Sequence, residues 1–198
     1  MCPILIWLTI IPYFGDEIMR VVAFTPIKLH SERLANKNTK SLCGRPLLDY
    51  TVTTVDRLEG VENYIYCTDP EVMEYTTSTA VKFFQKPYNP NEADNGAWGI
   101  YEPFLKATKS DVYILYHVTS PLLHINFYQK GLESIIEGGH DSAFTVTKIQ
   151  TFVWFQNHPI NYTFDSIPKT QDLEPIYVET SGFYMFTSQV ADKKRRIG

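Results

Sequence analysis

The chain has 198 residues, enough for one globular domain or one domain with an appendage. Its 44% hydrophobic and 20% charged content excludes a disordered chain and allows a sizeable core. A net charge of −4 argues against nonspecific nucleic-acid binding; Cys2, Cys43 and Cys67 lack Cys-x-x-Cys spacing, which argues against a disulfide framework or zinc site and for a reducing, cytoplasmic setting.

The apolar run "PILIWLTII" near the start is too short to cross a bilayer, and no basic stretch precedes it, so neither a membrane span nor a secretory signal is expected. Met19 is followed at once by "RVVAF", the usual opening of a strand-first α/β domain. Residues 1–18 therefore read either as a segment outside the native chain, with Met19 as its start, or as an extra edge strand. A single domain is expected over 19–198.

From there strands and helices alternate. "RVVAFTPI" (20–27) is a continuous apolar run of the buried-strand type. "PLLDYTVTTVDRL" (46–58) has helical spacing, with Pro46 suited to a helix start. "ENYIYCTD" (62–69) reads as a strand, "PEVMEYTTS" (70–78) as a short helix and "AVKFFQK" (80–86) as a strand. A polar loop (89–96) leads to a helix over 97–108 that contains Pro103. "DVYILYHVT" (111–119) is the clearest central strand, and a helix is expected over 125–137. Strands follow at 142–149, 152–156 and 176–190, the last ending toward a helix. Strands separated by helices imply right-handed crossovers and a mostly parallel sheet, which binds ligands at the carboxyl ends of its strands.

The first connection, 28–46, holds Lys28, Arg33, Lys37 and Lys40 among Ser31, Asn36, Asn38 and Thr39. Phosphates seek cations and short hydrogen-bond donors. The loop is neither a Walker loop nor a Gly-x-Gly-x-x-Gly loop, so by composition a solvated charged loop fits as well as a phosphate cradle.

The segment "PIKLHSERLANKN…LCGRPLLDYTV" resembles the signature region of the sugar-acid cytidylyltransferases, which activate sialic acid, related nonulosonic acids and 3-deoxy-octulosonate. "YCTDPEV", "YHVTSPLL", "DSAFTVTKI" and "TQDLEPIYVETSGFYMF" resemble further family segments in the family's order, so the likeness runs from Arg20 to Gly198. It implies a three-layer, Rossmann-like nucleotidyltransferase (GT-A-like) fold with a mostly parallel mixed sheet. The implied reaction joins CTP and an acidic keto-sugar into a CMP-sugar and pyrophosphate, for surface-glycan or polysaccharide synthesis. A magnesium cofactor and a homodimer are also implied.

Carried over residue by residue, the resemblance gives Lys28, Ser31, Arg33, Lys37, Asn38 and Lys86 to the nucleotide, with Lys37 and Arg33 as the catalytic cations. It gives His117, Thr119, Ser120, Gln171, Asp172, Tyr177 and Glu179 to the sugar. Several positions depart from the family pattern. Lys28 replaces an arginine and so keeps the charge without the bidentate fork. Glu32 stands where the sialic-acid branch often has lysine, and Ala35 replaces a proline. His117 and Val118 replace a Gln-Pro pair, Leu123 an arginine, and Thr180 and Ser181 an Asn-Gly pair. These changes point to an acidic sugar other than sialic acid.

Family members carry an Asp-x-Asp pair beyond the "RRIG" segment as magnesium ligands. No such pair occurs in the 198 residues. The chain is therefore expected to be a fragment lacking the last strand and helix, to bind CTP weakly and not to turn over. Two other readings remain: a non-catalytic remnant, and a nucleotidyltransferase for an ordinary sugar phosphate. The latter class usually shows a Gly-x-Gly-Thr/Ser-Arg loop, which this sequence lacks. Asp69 reads as a helix cap rather than a metal ligand. "DKKRR" (192–196) reads as a solvated helix end.

Overall fold

The apolar run after Met19 becomes the strand around which the molecule is built. The computed structural model describes residues 13–14, 17–29, 34–88 and 96–198. Strand β1 (Val21–Ile27) is buried almost throughout, because strands flank it on both edges and helices cover both faces. The chain continues through α1 (Leu47–Val55), β2 (Val61–Cys67), β3 (Lys82–Gln85), α2 (Gly96–Thr108) and β4 (Val112–Tyr116). It then runs through α3 (Ile125–Ile136), β5 (Ser142–Ile149), β6 (Ile176–Thr187) and α4 (Ser188–Asp192).

The main sheet has the order β3-β2-β1-β4-β6-β5. β1 pairs in parallel with β2 and β4, and β2 with β3, while β6 runs antiparallel to β4. The order reverses between β1 and β4. One crossover from β1 leads outward to β2, and the chain later returns to β1's other side.

Alternation along the strands sorts side chains into two apolar layers. Val21, Ala23 and Ile27 share one layer with Leu48 and Val52 of α1 and Ile125 and Tyr128 of α3. Val22 and Phe24 share the other with Tyr101, Phe104 and Leu105 of α2 and Val190 of α4. The result is a three-layer sandwich. Each fully buried aliphatic side chain, such as Leu48 or Ile114, stabilises it by roughly 2 kcal/mol. Phe104 stacks on Phe24 with centroids 4.4 Å apart and meets Phe84 edge-on at 5.0 Å. This packing holds α2 helical through Pro103. Gly131 lets α3 approach β6 closely, since a Cβ there would lie 2.8 Å from the Met185 Sδ.

Contacts divide the chain into two compact units. One comprises Met1–Phe144 and Gly182–Gly198. The other is Thr145–Ser181, with a short pairing of Trp154–Phe155 against His158–Pro159 and a 3-10 turn at Thr170–Asp172. In the second unit Leu173 is buried, while Trp154, Phe155, Phe164 and Ile167 are each more than half exposed.

Candidate active site

In an open α/β sheet, ligands bind outside the carboxyl ends of the strands, where the strand order reverses. Here that point lies between β1 and β4, and Lys28 directly follows β1. The register pairs Val21 with Val112 and Phe24 with Leu115, so the carboxyl ends of β1 and β4 open on the same edge. Lys86 directly follows β3 and donates its backbone N–H to the Cys67 carbonyl at the end of β2 (2.8 Å). At a strand spacing near 4.8 Å, β3 lies about 10 Å from β1 along the same edge.

The loop after β1 is held by its own polar groups. The Asn38 side-chain amide donates to the Lys28 carbonyl (2.9 Å), tying the return of the loop to its departure point. Asn36 sits in the left-handed region (φ 53°), where asparagine is tolerated, and opens the 3-10 turn Lys37–Thr39. Asn38 is buried, Lys37 is half-buried and Lys28 is exposed. Lys28 and Lys37 make no ion pair among the described residues. Leu42 to Arg45 form a two-residue turn with Cys43 at φ 51° and Gly44 at φ 82°, the type I′ combination that favours glycine. Ser31 and Arg33 lie outside the described residues.

This loop is anchored by a buried carboxylate. Asp49, in the first turn of α1, is inaccessible to solvent and contacts the Arg45 guanidinium. It also accepts from the Thr77 amide (2.7 Å) and the Thr76 hydroxyl (2.9 Å). Burial alone would raise its pKa, but Arg45, the Thr77 amide and the Thr76 hydroxyl together outweigh it and hold the carboxyl below its ordinary range. The first two crossovers are thus fastened to each other beside the candidate site.

β4 delivers His117, Thr119 and Ser120. His117 is half-buried, and its backbone N–H donates to the Gly182 carbonyl (3.1 Å). Its ring stands edge-on to Tyr184, with centroids 6.2 Å apart. Thr119 is exposed in the following turn, which closes through the Ser120 amide to the His117 carbonyl (3.2 Å). Lys28, Lys37, Asn38, Lys86, His117, Thr119 and Ser120 therefore share one edge of the first unit.

The remaining residues that the resemblance assigns to the sugar belong to the second unit. Gln171 and Asp172 lie on its 3-10 turn, fastened by the Gln150 side chain to the Gln171 carbonyl (2.8 Å) and the Leu173 carbonyl (3.1 Å). Tyr177 and Glu179 are two apart on β6, hence on one side of the strand, and both are exposed.

Asp69 caps the 3-10 helix Pro70–Tyr75, accepting from the Glu71 amide (3.0 Å), as its position before a proline predicts. His124 caps α3 through Nδ1, which accepts from the Asn126 amide (3.3 Å). Among the described residues, no three His, Cys, Asp or Glu side chains are grouped to hold a metal. No helix among them is long and apolar enough to cross a membrane.

A cleft of about 640 Å³ opens at the opposite, amino edge of β4, lined by Trp98, Glu102, Lys106, Asp111 and Lys194 among others. Its charges are internally matched: Glu102 meets Lys106 at 3.0 Å and Lys194 at 3.8 Å. The carboxyl edge is the stronger candidate, because Lys28 and Lys37 make no such pairs among the described residues and it lies at the reversal of strand order.

The family model described as Cytidylyltransferase matches residues 22–191. The chain belongs to the cytidylyltransferase family. This is a family of nucleotidyltransferase enzymes, and the match spans both described units. A curated relative, N-acylneuraminate cytidylyltransferase A of Danio rerio, is 21% identical over 173 residues; the match covers 82% of this chain and 40% of the relative, so the chain spans well under half of that protein. Among solved structures, a CMP:2-keto-3-deoxy-manno-octonic acid synthetase complexed with CTP aligns with a TM-score of 0.63 at 14% identity, covering 88% of this chain and 76% of that one. The bifunctional IspDF of Campylobacter jejuni aligns with a TM-score of 0.61 at 12% identity, covering 87% and 42%. At these identities the structural likeness bears on the fold. The cytidylyltransferase fold agrees with the three layers and mixed sheet expected from the sequence.

Proposed function

We propose that this cytidylyltransferase uses CTP to activate an acidic keto-sugar. The anomeric hydroxyl oxygen of the sugar attacks the α-phosphorus of CTP. A new P–O bond forms, the bond to the β-phosphate bridge breaks, the hydroxyl proton is lost, and pyrophosphate leaves. Such a transfer depends chiefly on positioning and on stabilising negative charge. Lys28, Lys37 and Lys86 supply cations along the edge, Ser31 and Asn38 supply short polar groups, and Lys37 and Arg33 neutralise the departing pyrophosphate. His117, Thr119 and Ser120 contact the sugar; the resemblance assigns Gln171, Asp172, Tyr177 and Glu179 to it as well. The product would serve surface-glycan or polysaccharide synthesis.

The observation that carries this reading is the placement of Lys28, Lys37 and Lys86 at the carboxyl edge where the strand order reverses. A titration of CTP against UTP and GTP, followed by thermal shift and calorimetry, tests it. CTP should raise the melting temperature most and bind tightest. Equal responses to all three would remove the cytidine preference, and none at all would remove the nucleotide site.

The proposal includes a homodimer. The unit Thr145–Ser181 spans too few residues to bury a core alone and leaves Trp154, Phe155, Phe164 and Ile167 exposed, a composition suited to covering by a second copy. Sedimentation of the wild type and of Trp154→Ser/Phe164→Ser measures this directly. A wild type that remains monomeric at tens of micromolar would contradict it.

A further inference from the structure

The "DKKRR" segment reads as solvent-facing, yet its last arginine is half-buried. Arg196 sets its guanidinium 3.9 Å from the centroid of the Tyr184 ring and meets the Tyr101 hydroxyl in a side-chain hydrogen bond. Tyr184 is 1% exposed and Tyr101 5%. The same Tyr184 ring stacks with Phe144 at 6.1 Å and stands edge-on to His117 at 6.2 Å. The segment that brings Arg196 there is anchored at both ends. It leaves α4 through the Lys193 and Lys194 amides, which donate to the Val190 and Ala191 carbonyls, and it closes with the Gly198 amide on the Ser142 hydroxyl (2.9 Å).

We propose that Arg196 is a positioning residue of the sugar side of the site, acting through Tyr184 on His117. A planar guanidinium over a buried ring restricts that ring more than an aliphatic neighbour would, because the contact has both an electrostatic and a stacking component. The ring it restricts is the surface against which the His117 imidazole stands. His117 directly follows β4 at the carboxyl edge, so its pose affects how a ligand there is met. This rests on the functional reading above for the word sugar, but not for the physical linkage among the three side chains.

The test compares wild type with Arg196→Gln and Arg196→Lys. The first readout is the ¹H–¹³C NMR spectrum of the histidine rings, with His117 assigned through His117→Gln. In Arg196→Gln the His117 ring signals should move while those of His124, His140 and His158 stay in place, and Arg196→Lys should restore them in part. The second readout is calorimetry with 3-deoxy-octulosonate and with N-acetylneuraminate, each in the presence of CTP. For whichever acid the wild type binds, Arg196→Gln should weaken binding about fivefold, the size of one partly buried cation–ring contact, with CTP affinity within about twofold of wild type.

A drop in melting temperature with unmoved His117 signals would make Arg196 a structural staple only and overturn the proposal. So would an equal loss of CTP and sugar-acid affinity. If the wild type binds no CTP, the cytidylyl-transfer reading fails, and the His117 signals then decide the linkage on their own.

Discussion

The two ends of the first unit's parallel strands treat charge in opposite ways. At the amino end, Glu62 accepts from Arg20 (2.8 Å), Lys82 (3.0 Å) and the Tyr64 hydroxyl (2.8 Å), and Asp111 accepts from the Arg20 amide (2.7 Å). Opposite charges there meet one another and leave little for a ligand. At the carboxyl end, Lys28 and Lys37 stand without ion pairs among the described residues, on a loop that the Asn38 amide and the Thr39 hydroxyl help to hold in shape. Charge satisfied by the chain itself is scaffold. Charge held in place but left unmatched is available for an anion. The buried carboxylate Asp49, beside the carboxyl edge, follows the first rule, since it fastens the loops rather than facing a ligand.

The largest effect should come from that fastening. Asp49→Ala leaves the half-buried Arg45 and Thr76 side chains and the Thr77 amide without their common acceptor. Losing the hydrogen bonds of an inaccessible carboxylate in this way costs about 2 kcal/mol. Urea unfolding should report that loss, and CTP affinity should fall with it as the crossovers loosen. A cost as small as that of a surface pair would show that the two edges do not differ in the way described.

Next in size is the contrast between a loop lysine and a paired one. Lys37→Ala should weaken CTP binding about tenfold, the loss of one charge-assisted contact, with the urea midpoint nearly unchanged. Lys82→Ala, at the amino edge, should leave CTP affinity at the wild-type value and lower stability by less than about 1 kcal/mol. Calorimetry on the two variants separates the edges. Equal loss of CTP affinity in both would mean that long-range charge, rather than placement, governs binding.

Much of this was legible in the sequence because it rests on local pattern. Continuous apolar runs marked β1, β2 and β4, and helical spacing marked α1 and α3. Each boundary fell within a few residues of the observed one. The carboxyl-edge location of Lys28 and Lys37 followed from their place after the first strand, whereas Lys86 was reached through the resemblance. Long-range pairing was not legible. Nothing near Asp49 in the chain announces Thr76 and Thr77, 27 and 28 residues away. Arg196 looked solvated because its ring partner, Tyr184, is brought to it by the fold and not by spacing. The division at Thr145–Ser181 was equally hidden, since short strands there obey the same alternation as those of the sheet. Exposure distinguishes that unit, and exposure has no one-residue signature.

The smallest effect sharpens the amino edge and has a definite sign. Hydrogen bonds from Arg20, Lys82 and Tyr64 hold the Glu62 carboxyl at about 2, against its ordinary 4.5. A depressed carboxyl pKa means that the folded state favours the ionised form. The stabilisation is therefore complete above about pH 5, declines as pH falls through the ordinary value, and is gone near pH 2. Side chains at this edge are partly exposed, so the full contribution is only about 1 kcal/mol. Urea unfolding of wild type and Glu62→Gln across this range should give curves separated by that amount near neutrality and converging toward pH 2. In Lys82→Ala, which removes one of the three donors, the decline should begin at the same pH as in wild type but be complete at a higher one. A separation that stays constant down to pH 2 would mean that Glu62 is no more acidic in the fold than in the unfolded chain, and the amino edge would lose its claim to be the self-paired one.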